Sequence, residues 1–272
     1  MPIEGKWVRY GEHSGYLAYP ERAQGPLPSV LVIQEIWGVE AQIEDLTRRV
    51  AAAGYVALAP DLYAKKGVRP AAFTAERVAQ VQHFANTAPQ NAWADPALRD
   101  AELDKLAEPL RSQVKESLQK LFSTPGRLPE LVSPLRDAVR FLKKENPSSL
   151  GQKTACVGFC MGGGLAALLA CEEPEIAGTA IFYGSAPPLE KVPQIAGPVI
   201  GFYAGNDQRI NQGIPAFEAA MKEHRRSFEH VVYEGAFHGF FNETGRSYNV
   251  AAVRDSFVRL LQFFQRTLTA QG

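Results

Sequence analysis

Net charge, long apolar runs and paired cysteines are all missing from this 272-residue chain, and each absence removes a class of function. No window approaches the ~18 uninterrupted apolar residues of a membrane-spanning helix, and the opening Met1-Pro2-Ile3-Glu4-Gly5-Lys6 has no apolar signal core. Lys and Arg together number 29, Asp and Glu also 29, and no block of like charge occurs. There is thus no electrostatic footprint for nucleic acid or an anionic membrane, and a small molecule is the expected partner of a monomer or homodimer. The three cysteines, Cys156, Cys160 and Cys171, crowd into one segment with neither the spacing of a zinc site nor a disulfide framework. A reducing, cytoplasmic setting is expected, with no metal and no cofactor.

What is present is enough apolar content, 46%, for one large core. Residues 1–272 read as a single α/β domain. Lys6 to Tyr10 and Tyr16 to Tyr19 flank a turn-rich loop, Gly11 to Gly15, and are expected to pair at an antiparallel edge. Ser29 to Ile33 is a continuous apolar run, as in a strand buried on both faces, and Tyr55 to Ala59 is another. Between them Ile43, Leu46, Val50 and Ala53 recur at helical spacing with Gly54 as the stop, so strand, helix and strand form a parallel crossover.

From 65 to 127 the strand patterns disappear. Thr74, Asp95-Pro96 and Pro109 each mark the start of a polar helix, and Leu110, Val114, Leu118, Leu121 and Phe122 make one apolar stripe. This segment reads as a helical insertion or cap. Beyond it come a helix from Ser133, strands at 154–157, 178–183, 199–204 and 228–233, and helices near 214–223 and 248–268. The alternation predicts a mainly parallel, doubly wound sheet.

The chemistry centres on Val157-Gly158-Phe159-Cys160-Met161-Gly162-Gly163-Gly164, set between a strand pattern and an Ala/Leu-rich helix pattern. Glycines two before and two after Cys160 let a nucleophile sit on a sharp strand-to-helix turn, where a flanking Cβ would meet neighbouring backbone. A thiol is nucleophilic through even a small thiolate fraction. Read alone, the octapeptide also fits a buried cysteine at a tight crossing, so partners elsewhere must decide. Asp207 follows one strand pattern in Ala204-Gly205-Asn206-Asp207, and His238 follows the next in Gly235-Ala236-Phe237-His238-Gly239-Phe240. Nucleophile, acid, histidine is the chain order of the α/β-hydrolase triad, and groups beyond the carboxyl ends of such strands converge on one crevice. His13, His83, His224 and His230 fall on loop, helix or strand patterns without such flanks, and Cys156 and Cys171 read as small core residues.

Five separated motifs, Gln34-Glu35-Ile36-Trp37-Gly38, Pro60-Asp61-Leu62-Tyr63, Gly158-Phe159-Cys160-Met161-Gly162-Gly163, Gly205-Asn206-Asp207 and His238-Gly239-Phe240, stand in the order found in the dienelactone hydrolase family, which the chain resembles outside the insertion. The resemblance implies an α/β-hydrolase fold and hydrolysis of a small ester or lactone through a Cys160 thioester, with His238 as base and Asp207 orienting it. It further implies that the amides of Ile36 and Met161 hold the oxyanion and that Glu35 contacts and modulates the thiol. Trp37, Tyr63 and Phe240 are the candidates for lining the substrate site. One departure concerns the arginines with which dienelactone-cleaving members grip a substrate carboxylate. Gly239 to Glu243 contains none, Arg246 comes later, and Arg69, Arg77, Arg99 and Arg111 are candidates for the other. A thioesterase, a general carboxylesterase, and a non-catalytic or redox-responsive thiol protein are the alternative readings.

Overall fold

The computed structural model describes residues 2–93 and 95–269. Eight strands form one sheet: β1 (Ile3–Tyr10), β2 (His13–Pro20), β3 (Ser29–Ile33), β4 (Val56–Pro60), β5 (Thr154–Phe159), β6 (Ile176–Phe182), β7 (Val199–Ala204) and β8 (Phe228–Tyr233), in the spatial order β1-β2-β4-β3-β5-β6-β7-β8. The first two strands are antiparallel to their neighbours and the rest are parallel, as expected of a doubly wound α/β fold. The strand order reverses between β3 and β5, and in open α/β sheets it is beyond the carboxyl ends of strands at such a point that functional groups gather.

The hairpin is tighter than the sequence pattern suggested. Pairing runs from Ile3↔Pro20 to Tyr10↔His13, leaving only Gly11 and Glu12 in the turn rather than a loop over Gly11 to Gly15. Gly11 adopts φ 58°, which permits a two-residue connection, and main-chain pairing carries the polar residues His13 and Ser14 into the strand.

Alternation along β3 divides the core. Val30 and Val32 face one hydrophobic layer, with Ile43, Leu46 and Val50 of α1 (Ala41–Ala52) and Leu260, Phe263 and Phe264 of α9 (Val250–Phe264). Leu31 and Ile33 face the other, with Leu135, Val139 and Leu142 of α5 (Val132–Lys144) and Leu165 and Leu169 of α6 (Met161–Glu172). This period of two on a strand wholly buried is the reason β3 reads as a continuous apolar run. A smaller cluster joins Phe217 and Met221 of α8 (Ile214–Glu223) to Ile181 and Tyr203. The last helix starts at Val250, two residues later than its sequence pattern, because the Asn249 side chain caps it by accepting from the Ala252 amide.

The segment between β4 and α5 forms α2 (Ala75–Thr87), α3 (Pro96–Leu103) and α4 (Leu110–Ser123) with short 3₁₀ turns. Asp95 caps α3 through the amides of Ala97 and Leu98, whereas the Thr74 hydroxyl donates to the Ala71 carbonyl and caps nothing. Val114, Leu118 and Leu121 of α4, with Val78, Val81 and Phe84 of α2, are buried in the same layer as Leu31, Ile33 and Met161. Leu110 and Phe122, at the ends of the α4 stripe, are exposed. Among the described residues no helix is long and apolar enough to cross a membrane.

Candidate active site

Cys160 stands between β5 and α6 with φ 54° and ψ −115°, a conformation that side chains with a Cβ adopt only at a cost of order 1–3 kcal/mol. The surroundings hold it there. Its amide donates to the Phe182 carbonyl at 3.0 Å, and its carbonyl accepts from Gly163 and Gly164. The flanking glycines answer to close backbone: a Cβ on Gly158 would lie 1.8 Å from the Gly162 carbonyl oxygen, and one on Gly162 would lie 2.4 Å from the carbonyl oxygens of both Ile33 and Gln34. The sharp turn therefore presses the start of α6 against the end of β3 and presents the thiol to His238.

Two backbone bonds tie the loops after β7 and β8 together, Gly205 amide to Tyr233 carbonyl at 2.9 Å and Asn206 amide to Ala236 carbonyl at 3.0 Å. They bring Asp207 under His238. Asp207 Oδ1 accepts from the Ile210 amide at the start of α7 (Gln208–Asn211), which orients Oδ2 toward His238 Nδ1 at 2.5 Å. The other ring nitrogen, Nε2, lies 3.0 Å from Cys160 Sγ. Because a carboxylate only accepts, Nδ1 carries a proton, and Nε2 is left to exchange one with sulfur. Burial disfavours an imidazolium here, but hydrogen bonds to Asp207 and Cys160 and the charges they carry outweigh it, raising His238 to about 10. The arrangement can thus take a proton from the thiol and store it as an imidazolium.

Glu35 lies two residues past the end of β3 and is buried. Its Oε1 accepts from the Tyr183 hydroxyl at 2.9 Å and its Oε2 from the Asn242 amide group at 2.8 Å. No hydrogen bond joins Glu35 to the thiol: two strong donors occupy the carboxylate, while Cys160 faces His238. Burial raises the Glu35 pKa, against the opposing influence of Asn242, Tyr183 and His238. Tyr183 and Asn242 were not singled out from sequence, although both lie where one would look, Tyr183 just past β6 and Asn242 four residues beyond His238. Tyr183 is itself held at φ 38°, fully buried, with its ring edge-on to the His238 ring at 5.1 Å between centroids.

Met161 and Ile36 stand next in sequence to the close approach of Gly162 to the Ile33 and Gln34 carbonyls, Met161 one residue before Gly162 and Ile36 two residues after Gln34. Neither backbone amide donates to another protein group among the described residues. Trp37 is half-buried and meets Phe122 of α4 edge-on at 6.2 Å, and Phe122 stacks on Trp93 at 5.5 Å. Leu128, just past α4, comes within 3.2 Å of where a Gly164 Cβ would stand. The helical segment therefore reaches over the start of α6. Phe240, expected at the rim, is instead wholly buried against Phe182, Tyr183 and Tyr233. Gly239 at φ 81° turns the chain inward after His238, and the exposed aromatic of that loop is Phe237. Tyr63 is also buried, and its hydroxyl donates to the Ile36 carbonyl.

Four of the five arginine candidates are engaged elsewhere. Arg69 binds Asp61 and Glu40, Arg77 binds Glu116 and Ser117, Arg111 pairs with Glu108, and Arg246 donates to the Ala85 and Ala88 carbonyls at the end of α2. All three cysteines are free. Cys156 is wholly buried against Thr179, and burial pushes its thiol up to about 12, which disfavours its thiolate. Among the described residues no group of three or more His, Cys, Asp or Glu is gathered as a metal ion would require.

Comparison with known proteins points one way. The model of the dienelactone hydrolase family matches residues 13–268. A protein of Saccharolobus solfataricus named as a carboxymethylenebutenolidase is 36% identical over 256 residues, covering 92% of this chain and 93% of that one. A protein of Escherichia coli K12 with the same name is 28% identical over 263 residues, covering 92% and 81%. In three dimensions a crystal structure from Klebsiella pneumoniae, named for dienelactone hydrolase, superposes with a TM-score of 0.71 at 24% identity over 98% of this chain and all of that one.

Proposed function

The chain belongs to the dienelactone hydrolase family and is a hydrolase of carboxylic ester or lactone bonds, and from that premise we propose that it works through a thioester on Cys160. His238 takes the thiol proton as sulfur attacks the substrate carbonyl carbon, and the Ile36 and Met161 amides receive the negative charge that develops on oxygen. The imidazolium then protonates the leaving alkoxide as the carbon–oxygen bond breaks; in a lactone that alkoxide stays attached to the acyl group. Neutral His238 next draws a proton from water, which attacks the thioester and releases the acid and the thiol. Asp207 keeps the imidazole in the required tautomer and stabilises its charged form throughout. Glu35, clamped by Tyr183 and Asn242, adds a buried carboxyl group that interacts electrostatically with His238.

The observation that carries this reading is the unbroken chain from Asp207 Oδ2 through the His238 ring to Cys160 Sγ, with spans of 2.5 and 3.0 Å, at the carboxyl edge of the sheet. Three free cysteines suit the reducing compartment expected for such a thiol. Turnover of p-nitrophenyl acetate and a panel of lactones is expected to vanish in Cys160→Ala, which removes one sulfur from the rim of a large core and leaves thermal unfolding close to that of the parent. Retained turnover would assign the attack to another group.

A further inference from the structure

Tyr63, expected among the residues lining the substrate site, is buried. It is 6% exposed, its ring stacks on Phe73 at 4.4 Å, and its hydroxyl donates to the Ile36 carbonyl at 2.7 Å. Burial raises the phenol pKa well above its ordinary value, with neighbouring Thr124, Cys160, Arg69 and Asp61 as smaller influences, so the hydroxyl stays a proton donor throughout the working pH range. Its backbone is fixed as well. Asp61 Oδ1 accepts from the amides of Tyr63 and Ala64, Asp61 Oδ2 is bound by Arg69 Nε at 2.7 Å, and the same guanidinium reaches the Val39 carbonyl and the Glu40 carboxylate. One arginine thus joins the turn carrying Tyr63 to the chain just beyond Ile36.

Geometry converts this anchoring into a direction for one N–H. A trans peptide is planar, so its N–H points opposite its C=O. The Glu35 carbonyl is held by the Gly38 amide at 3.3 Å, which sets the plane of the peptide that carries the Ile36 N–H. The following peptide is set by Tyr63 through the Ile36 carbonyl. Fixing both planes leaves the Ile36 residue little freedom in φ or ψ, and its amide has no protein acceptor among the described residues. Resting on the acyl-enzyme reading above, we propose that Tyr63 is a positioning residue for the oxyanion hole, acting through the Ile36 carbonyl rather than on the substrate.

The test is Tyr63→Phe, which keeps the ring and its stacking and deletes only the hydroxyl. Loss of a whole oxyanion donor costs ~10²- to 10³-fold in kcat, so a loosened donor is expected to cost about tenfold, with KM changed less than about twofold. Alkylation of Cys160 by iodoacetamide, a displacement in which no carbonyl oxygen acquires charge, is expected to keep its parental rate and pH profile. Ester turnover equal to the parent's would overturn the proposal, and so would a parallel fall in alkylation, which would mean that the hydroxyl acts on the thiol or on folding. If the parent itself shows no Cys160-dependent turnover, it is the acyl-enzyme reading that fails, and the proposal with it.

Discussion

Replacing Glu35 by Gln tests whether the buried carboxylate is a liability to the folded state. The side chain has the same shape, and an amide mimics the protonated carboxyl. Asn242 can present only its NH₂ to Glu35, because its Oδ1 is held by the Thr244 amide at 2.9 Å and the Thr244 hydroxyl at 2.7 Å. The new amide must therefore turn its oxygen to Asn242 and its NH₂ to the Tyr183 hydroxyl, which can accept. A protonated Glu35 faces the same choice, so at acid pH the two proteins are expected to differ by no more than about 1 kcal/mol, the net worth of one hydrogen bond. Burial raises the Glu35 pKa above the ordinary carboxylate value despite Asn242, Tyr183 and His238, so the folded state binds this proton more tightly than the unfolded chain does. A raised pKa gives stability that is fully present below the unfolded pKa and is lost as pH rises through the folded one. The parent alone suffers that loss, at up to about 1.4 kcal/mol per pH unit within the window. Urea unfolding followed by tryptophan fluorescence from pH 4.5 to 8 is therefore expected to show Glu35→Gln gaining on the parent as pH rises and exceeding it at neutrality. A gap that widened in the parent's favour would mean that the Tyr183 and Asn242 hydrogen bonds outweigh burial, and would refute the reasoning.

Gly158→Ala places a Cβ 1.8 Å from the Gly162 carbonyl oxygen, and only a shift of the first turn of α6 by more than an ångström relieves it. Overpacking of this kind costs roughly 1–3 kcal/mol of stability, and the accompanying displacement of Cys160 and the Met161 amide is expected to lower kcat by ~10²-fold or more; calorimetry and steady-state kinetics on the purified variant check both. Phe122→Ala removes the ring that links Trp37 to Trp93. If the helical segment shapes acyl choice, the ratio of kcat/KM for bulky against short p-nitrophenyl esters changes, whereas a uniform ratio in a folded variant would take the segment out of substrate recognition.

Much of this protein is settled by local sequence. The apolar runs Val30 to Ile33 and Ala155 to Val157 place β3 and β5 within a parallel sheet, since a strand covered on both faces presents apolar side chains to both. Gly158 and Gly162 announce the elbow because backbone lies where a Cβ would be. The order of Cys160, Asp207 and His238, each at a strand end, is enough to name the candidates, because the fold directs all strand ends to one edge. Tertiary structure decided the rest, through contacts between residues far apart in the chain. Phe240 is a core residue and Phe237 lies outside, with Gly239 at φ 81° between His238 and Phe240. Glu35 meets Asn242 across 207 positions and Tyr183 across 148, so nothing near it in sequence indicated that its oxygens would be taken. Tyr63 likewise meets the Ile36 carbonyl across 27 positions, where Arg69 joins two loops that are neighbours only in space. Periodicity and spacing report which face of an element is buried; which donor meets which acceptor there is set by the packing of separate elements.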